Sequence, residues 1–171
     1  MPRYSEFDRE ALTAILARQY QVITRSQVLA SGMADSALDH RLRAGGPWQR
    51  LLPGVFLAVT GSPTREQRDI AALLYAGPES ILTGAAALRL WGVRAPYTST
   101  IDVLIPESKQ RKSAGFVRIR PTEVIAAIRT ALANANIHPT LPIRTVSAAA
   151  VPPPRPAGNV VKPGVHHNRT R

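Results

Sequence analysis

The chain has 171 residues, with 22 lysines and arginines against 11 acids, a formal net charge of +11, and no cysteine. The missing cysteines exclude disulfides, thiolate catalysis and cysteine metal sites together. The charge points to a polyanionic partner, nucleic acid first and an anionic membrane surface second. No stretch approaches the ~20 apolar residues of a spanning helix. The start MPRYSEFDRE has no signal-peptide apolar core, so a cytoplasmic location and no membrane partner are the expectations. Aromatic residues make up 5% of the chain, too few for a row of base-stacking platforms on single strands.

Ser5 and Asp8 can cap a first helix reaching about Gln19, with Leu12, Ile15 and Leu16 on one face. Thr24 and Gln27 have the spacing of a capping box for a second, short helix, whose apolar face is Val28 and Leu29. Gly32 ends it, because glycine takes the left-handed conformation past a helix end without steric cost. Asp35 can cap a third helix with Leu38 and Leu42 facing inward, and Gly45-Gly46-Pro47 stops it. On an ideal wheel Ser36, Asp39, His40 and Arg43 point away from those leucines, and Arg41 lies on a flank. Trp48, Arg50 and Leu52 then alternate with Gln49 and Leu51, Pro53-Gly54 makes a turn, and Val55 to Val59 returns as a strand.

Two helices joined by a tight turn and followed by a basic hairpin are the outline of a winged helix-turn-helix. In that reading Ser36, Asp39, His40 and Arg43 face bases, since arginine can be bidentate to guanine and Ser and His are smaller hydrogen-bonding partners. Arg25, Arg41 and Arg50 contact phosphate, which positions the unit without reading sequence. The plain alternative is an ordinary surface helix with a solvated charged face.

Thr60-Gly61-Ser62-Pro63 reads as a hinge. Thr64 to Ala76 follows as a helix capped by Thr64, with Gln67 three residues on, and ended by Gly77-Pro78. Ser80 to Thr83 is short and β-like. Ala85 to Trp91 is helical, its alanines allow close packing on the preceding helix, and Trp91 is expected as a core plug. Ile101 to Ile105 and Phe116 to Arg120 read as strands flanking the basic loop Glu107 to Gly115. They are expected to pair as an antiparallel hairpin, with Arg118 and Arg120 outward beside Phe116 as a second nucleic-acid surface or as a solubilising edge. Thr122 to Ala133 reads as a helix with Val124, Ile125 and Ile128 apolar, and Ile137 to Val146 as at most a strand. From Ser147 the chain is rich in proline and basic residues without an acid, and is expected to be disordered or extended. His166-His167 in such a segment makes no metal site.

The expected fold class is therefore α+β: a winged helix-turn-helix over residues 1–60, a small α+β lobe over 61–146, and a disordered proline-rich basic tail over 147–171. Asp102 and Glu107 stand isolated, with no third acid or lysine at nuclease-like spacing. There is no Walker loop and no G-x-G-x-x-G after a strand. No catalytic residue, cofactor or metal is expected.

The run from Leu12 to Val59, with TRSQVLASG, SALDHRLRAG and the W-R-L-PGVF pattern, resembles the N-terminal winged-helix domain of AbiEi-type antitoxins of type IV toxin-antitoxin systems. The similarity continues through TGSPTREQRDIAALLYAGPESILTGAAALRLWGV and, more weakly, PIRTV at Pro142 to Val146. The resemblance implies a bacterial, non-catalytic transcriptional autoregulator. Such a protein binds double-stranded DNA at its own operator and counteracts a cognate nucleotidyltransferase toxin. Family members continue past the RTV segment into a substantial C-terminal domain. Here Ser147 and the proline-rich tail follow, so the resemblance covers most of this chain but only the DNA-binding half of the family's pattern. A homodimer on repeated half-sites is the expected arrangement on DNA. Two rival readings remain: a protein-interaction module that binds the toxin without specific DNA binding, and a binder of structured RNA through the loop near Lys109 to Lys112.

Overall fold

The Asp8 carboxylate accepts a hydrogen bond from the Ala11 N–H at 2.8 Å and so starts α1 (Arg9–Arg18). This is the first element of a computed structural model that describes residues 7–135. Ser5, the strand expected before Val146 and the tail from Ser147 lie outside the described residues. After α1 the chain reverses through Tyr20 and Gln21, both left-handed at φ 52° and 68°, into β1 (Val22–Thr24). Sequence reasoning missed this strand. Three residues carry no readable period, and the partner strand lies far along the chain.

Thr24 closes β1 and caps α2 (Arg25–Ala30) with the expected capping box: its hydroxyl accepts from the Gln27 N–H, and Gln27 Oε1 accepts from the Thr24 N–H. Gly32 follows at φ 83° and turns the chain away. α3 (Asp35–Leu42) departs from expectation at its start. Its N-cap is Ala34, with no side-chain cap, and Asp35 is the first helical residue. There its carboxylate faces the positive helix end and accepts from Arg25. β2 (Gln49–Leu52) and β3 (Val55–Leu57) follow. A bulge between Arg50 and Leu52 breaks the strict alternation expected here. Trp48 and Leu52 are buried while Arg50, two positions from each, is exposed.

The three strands form one antiparallel sheet in the order β1-β3-β2. Because successive side chains point to opposite faces, this sheet divides two apolar clusters. Ile23 and Phe56 point to one side, where they meet Leu12, Val28, Met33, Leu38 and Trp48. Val22, Val55 and Leu57 point to the other and meet the second half of the molecule. The segments on either side of Thr60–Pro63 thus share a core through this sheet.

On that far side α4 (Arg65–Ala76) carries a second capping box, Thr64 with Gln67, and buries Ile70, Ala71, Ala72, Tyr75 and Ala76. β4 (Ile81–Leu82) and α5 (Gly84–Leu90) follow. α5 lies on β5 (Ile101–Pro106) rather than closely on α4 as expected, and of its alanines only Ala86 is buried. β6 (Val117–Thr122) completes a sheet in the order β4-β5-β6. β4 pairs antiparallel with β5, but β5 and β6 are parallel, from Ile101 opposite Val117 to Pro106 opposite Thr122. The antiparallel hairpin is corrected. The connecting segment is long enough to run back beside the strand, since an extended chain spans about 3.3–3.6 Å per residue. It is held on the way by the Tyr75 hydroxyl, which donates to the Lys112 carbonyl at 2.8 Å.

α6 (Ile125–Asn134) starts later than expected, because Thr122 still belongs to β6. Its first residue Ile125 is buried, whereas Val124, now the N-cap, is exposed. Among the described residues the fold is mixed α+β, with six helices and two small sheets. No helix among them is long and apolar enough to cross a membrane.

Candidate nucleic-acid interface

Leu38 is fully buried and anchors α3 against Val28 and Met33, so the opposite face of the helix is turned outward. Ser36, Asp39 and His40 all lie on that face and are exposed. Arg43 is exposed too, but the helix has ended: it is the C-cap, with an extended ψ of 162°. The structure therefore brings Ser36, Asp39 and His40 together and sets Arg43 beyond the last turn, where the chain leaves for the hairpin.

The three arginines expected at phosphate have different surroundings. Arg25 donates to Asp35, tying the start of α2 to the start of α3. Arg50 stands 3.6 Å from Asp39 and 5.6 Å from the centroid of the Phe56 ring, so the hairpin leans toward the outer face of α3. Arg41 is half-buried, with its guanidinium 5.7 Å from the Trp48 ring and 6.0 Å from that of Phe7. That position suits a cation packed over aromatic faces better than one reaching into solvent.

The path from α3 to the hairpin is narrow. The Arg41 carbonyl accepts from the Trp48 N–H at 3.1 Å and the Arg43 carbonyl from the Gly46 N–H at 2.8 Å. A Cβ on Gly46 would lie 2.3 Å from the Arg41 oxygen, so only glycine passes there. This fixes how the hairpin sits against α3. Gln49 adds a second tie, donating to the carbonyls of Val59 and Gly61.

The basic strand β6 is arranged otherwise. Arg118 and Arg120 share one carboxylate, with Asp102 Oδ1 3.7 Å and 2.8 Å away. Phe116 is half-buried against the core under the Arg68 guanidinium, not on an outward face with them. In the loop, Lys109 lies 3.8 Å from Glu79 and Arg111 stands over the Tyr75 ring. Among the described residues no cluster of three or more His, Asp or Glu is placed to hold a metal.

Sequence reasoning singled out nothing at Asp69, yet it is a buried acid on the apolar side of α4, 3.5 Å from Arg89 of α5. Desolvation raises its pKa from 3.8 to about 6, with Arg89 pulling the other way. The readable signal was its place one turn before Leu73, on the face counted as apolar.

No protein-family model matches the chain, and no curated protein matches it.

Proposed function

We propose that residues up to about 60 act as a winged helix-turn-helix that binds double-stranded DNA, with α3 as the reading helix and the β2–β3 hairpin as the wing. The observation that supports this best is the outer face of α3. Ser36, Asp39 and His40 stand exposed on a helix anchored by one buried leucine, flanked by Arg25 on one side and Arg50 on the other. Ser36 and His40 then meet base edges, with Asp39 beside them, and Arg43 reaches the groove from just past the helix. Arg25 and Arg50 exchange their carboxylate partners for phosphates, so binding carries a strong salt dependence. Arg41, packed on Trp48 and Phe7, supports the fold of the unit more than it touches DNA.

The form of this function is an antitoxin-like autoregulator that acts at its own operator without catalysis, in keeping with the resemblance of the blocks Leu12–Val59 and Thr60–Val93. Footprinting of the full chain on its own upstream DNA tests it. A discrete protected site, lost on substituting Ser36 and His40 together by alanine, supports the reading, and uniform protection removes it. A second reading, a protein-interaction module, is favoured by one observation in the other half: Trp91 is 58% exposed.

A further inference from the structure

Trp91 was expected in the core, and the structure places it outside. It lies in a run of exposed apolar residues. Of the nine large apolar side chains exposed among the described residues, five fall between Leu88 and Tyr97: Leu88, Leu90, Trp91, Val93 and Tyr97. The backbone holds this stretch in shape, with the Trp91 N–H donating to the Ala87 and Leu88 carbonyls and the Val93 N–H to that of Leu88. Tyr97 is fixed from α4: the Arg65 guanidinium lies 5.3 Å from its ring centroid, and Arg68 donates to its hydroxyl and to the Ser99 carbonyl.

The exposed charges around this surface are mostly positive. Arg94 and Arg65 are exposed and make no ion pair among the described residues. Of the two acids on α4 and α5, Asp69 is buried beside Arg89 and only Glu66 is exposed. Tryptophan, tyrosine and arginine are also the residues most enriched where protein interfaces concentrate their binding energy.

We propose that the surface from Leu88 to Tyr97 docks a protein partner that lays the apolar face of an amphipathic segment on Trp91 and carries carboxylates beside it. A second copy of this chain is the poorer occupant, because a two-fold interface sets the same patch against itself and would bring Arg65 and Arg94 toward their own copies. The partner that relieves those cations carries carboxylates. This surface lies in the half of the chain away from α3, so the proposal goes beyond the DNA reading and does not depend on it.

Trp91 is its own reporter, since the other tryptophan, Trp48, is buried. The experiment titrates the full chain with a synthetic amphipathic peptide bearing leucine and phenylalanine on one face and glutamate on the other. The same peptide with lysine for glutamate is the control, and Trp91→Phe supplies the baseline. The glutamate peptide is expected to shift the Trp91 emission to the blue and to protect it from acrylamide in a saturable, salt-weakened manner, while the lysine peptide does neither. Trp91→Ala should lose at least about tenfold in affinity, as should Arg94→Glu combined with Arg65→Glu, with DNA binding by Trp91→Ala unchanged. An unmoved emission, an equal response to both peptides, or a Trp91 already shielded in the free chain overturns the proposal. So does a larger response to phosphatidylglycerol vesicles than to the peptide.

Discussion

Asp39 of α3 and Arg50 of β2 stand 3.6 Å apart, their side chains 61% and 59% exposed, and join the outer face of the helix to the hairpin. A pair this exposed contributes at most about 0–1 kcal/mol, so its geometry matters more to what the surface can meet than to holding the fold.

Arg50→Ala is accordingly expected to leave unfolding within about 0.5 kcal/mol of the parent. It should weaken binding to all duplexes roughly equally and lower the salt slope by about one. Arg43→Ala should instead relax the preference among duplexes. Affinity measured against salt for both variants checks this, and unchanged affinity and preference in both would remove the hairpin and the end of α3 from the interface.

Gly46→Ala is expected to be the more damaging of two neighbouring substitutions. A Cβ there meets the Arg41 carbonyl at 2.3 Å, whereas at Gly45, with φ 74°, nothing lies within 4 Å. Gly45→Ala therefore costs about 1–2 kcal/mol for its left-handed backbone alone. Gly46→Ala must displace the turn itself and with it the hairpin. Urea unfolding of both variants decides it, and a Gly46→Ala cost no greater than that of Gly45→Ala would contradict the tight passage.

What could be read in the sequence was local. The capping boxes at Thr24–Gln27 and Thr64–Gln67 are set by residues three positions apart, and both formed as expected. The outward face of Ser36, Asp39 and His40 follows from helical period, and they are exposed. What was misread depended on distant parts of the chain. β1 exists because Val22 to Thr24 pair with Leu57 to Val55. The direction of β6 depends on where the loop before it is held, at Tyr75. Trp91 follows a short helix lying on β5, and among the described residues it stays exposed. Asp35 was read as a cap, where the helix begins one residue earlier and uses its carboxylate for Arg25.

Asp69 makes stability depend on pH in a direction opposite to that of a well-paired surface acid. Its pKa is raised from 3.8 to about 6, with desolvation the largest cause and Arg89 acting against it. The folded state holds the proton more tightly, so this group favours folding most below the unfolded value. That contribution is lost as pH rises from about 4 to about 6, by an amount on the order of 2–3 kcal/mol. Asp69→Asn removes the titration. Unfolding of parent and variant at about pH 4.5, 6 and 7.5, which bracket the raised value, should show the variant gaining relative to the parent as pH rises. A pH-independent difference would contradict the burial of a charged Asp69.

Phe56→Ala should cost about 3–5 kcal/mol, since Phe56 is the largest fully buried side chain among the described residues and fills the cluster beneath α1 to α3. Its neighbours Val55 and Leu57 point into the other cluster, so the two halves should unfold together. One coincident transition by circular dichroism and Trp48 fluorescence, both read in a Trp91→Phe background, is expected with and without Phe56→Ala. Two separated transitions would mean that the shared sheet does not couple the halves.

The most direct test of the central claim is fluorescence anisotropy of the full chain with its own upstream duplex against a scrambled duplex of equal length, repeated over a series of salt concentrations. The upstream duplex is expected to be preferred, with a preference that persists at moderate salt and is lost when Ser36 and His40 are replaced by alanine. Equal binding to both duplexes, vanishing together as salt rises, would contradict it: the charge of +11 would then only attract polyanions, and α3 would read nothing.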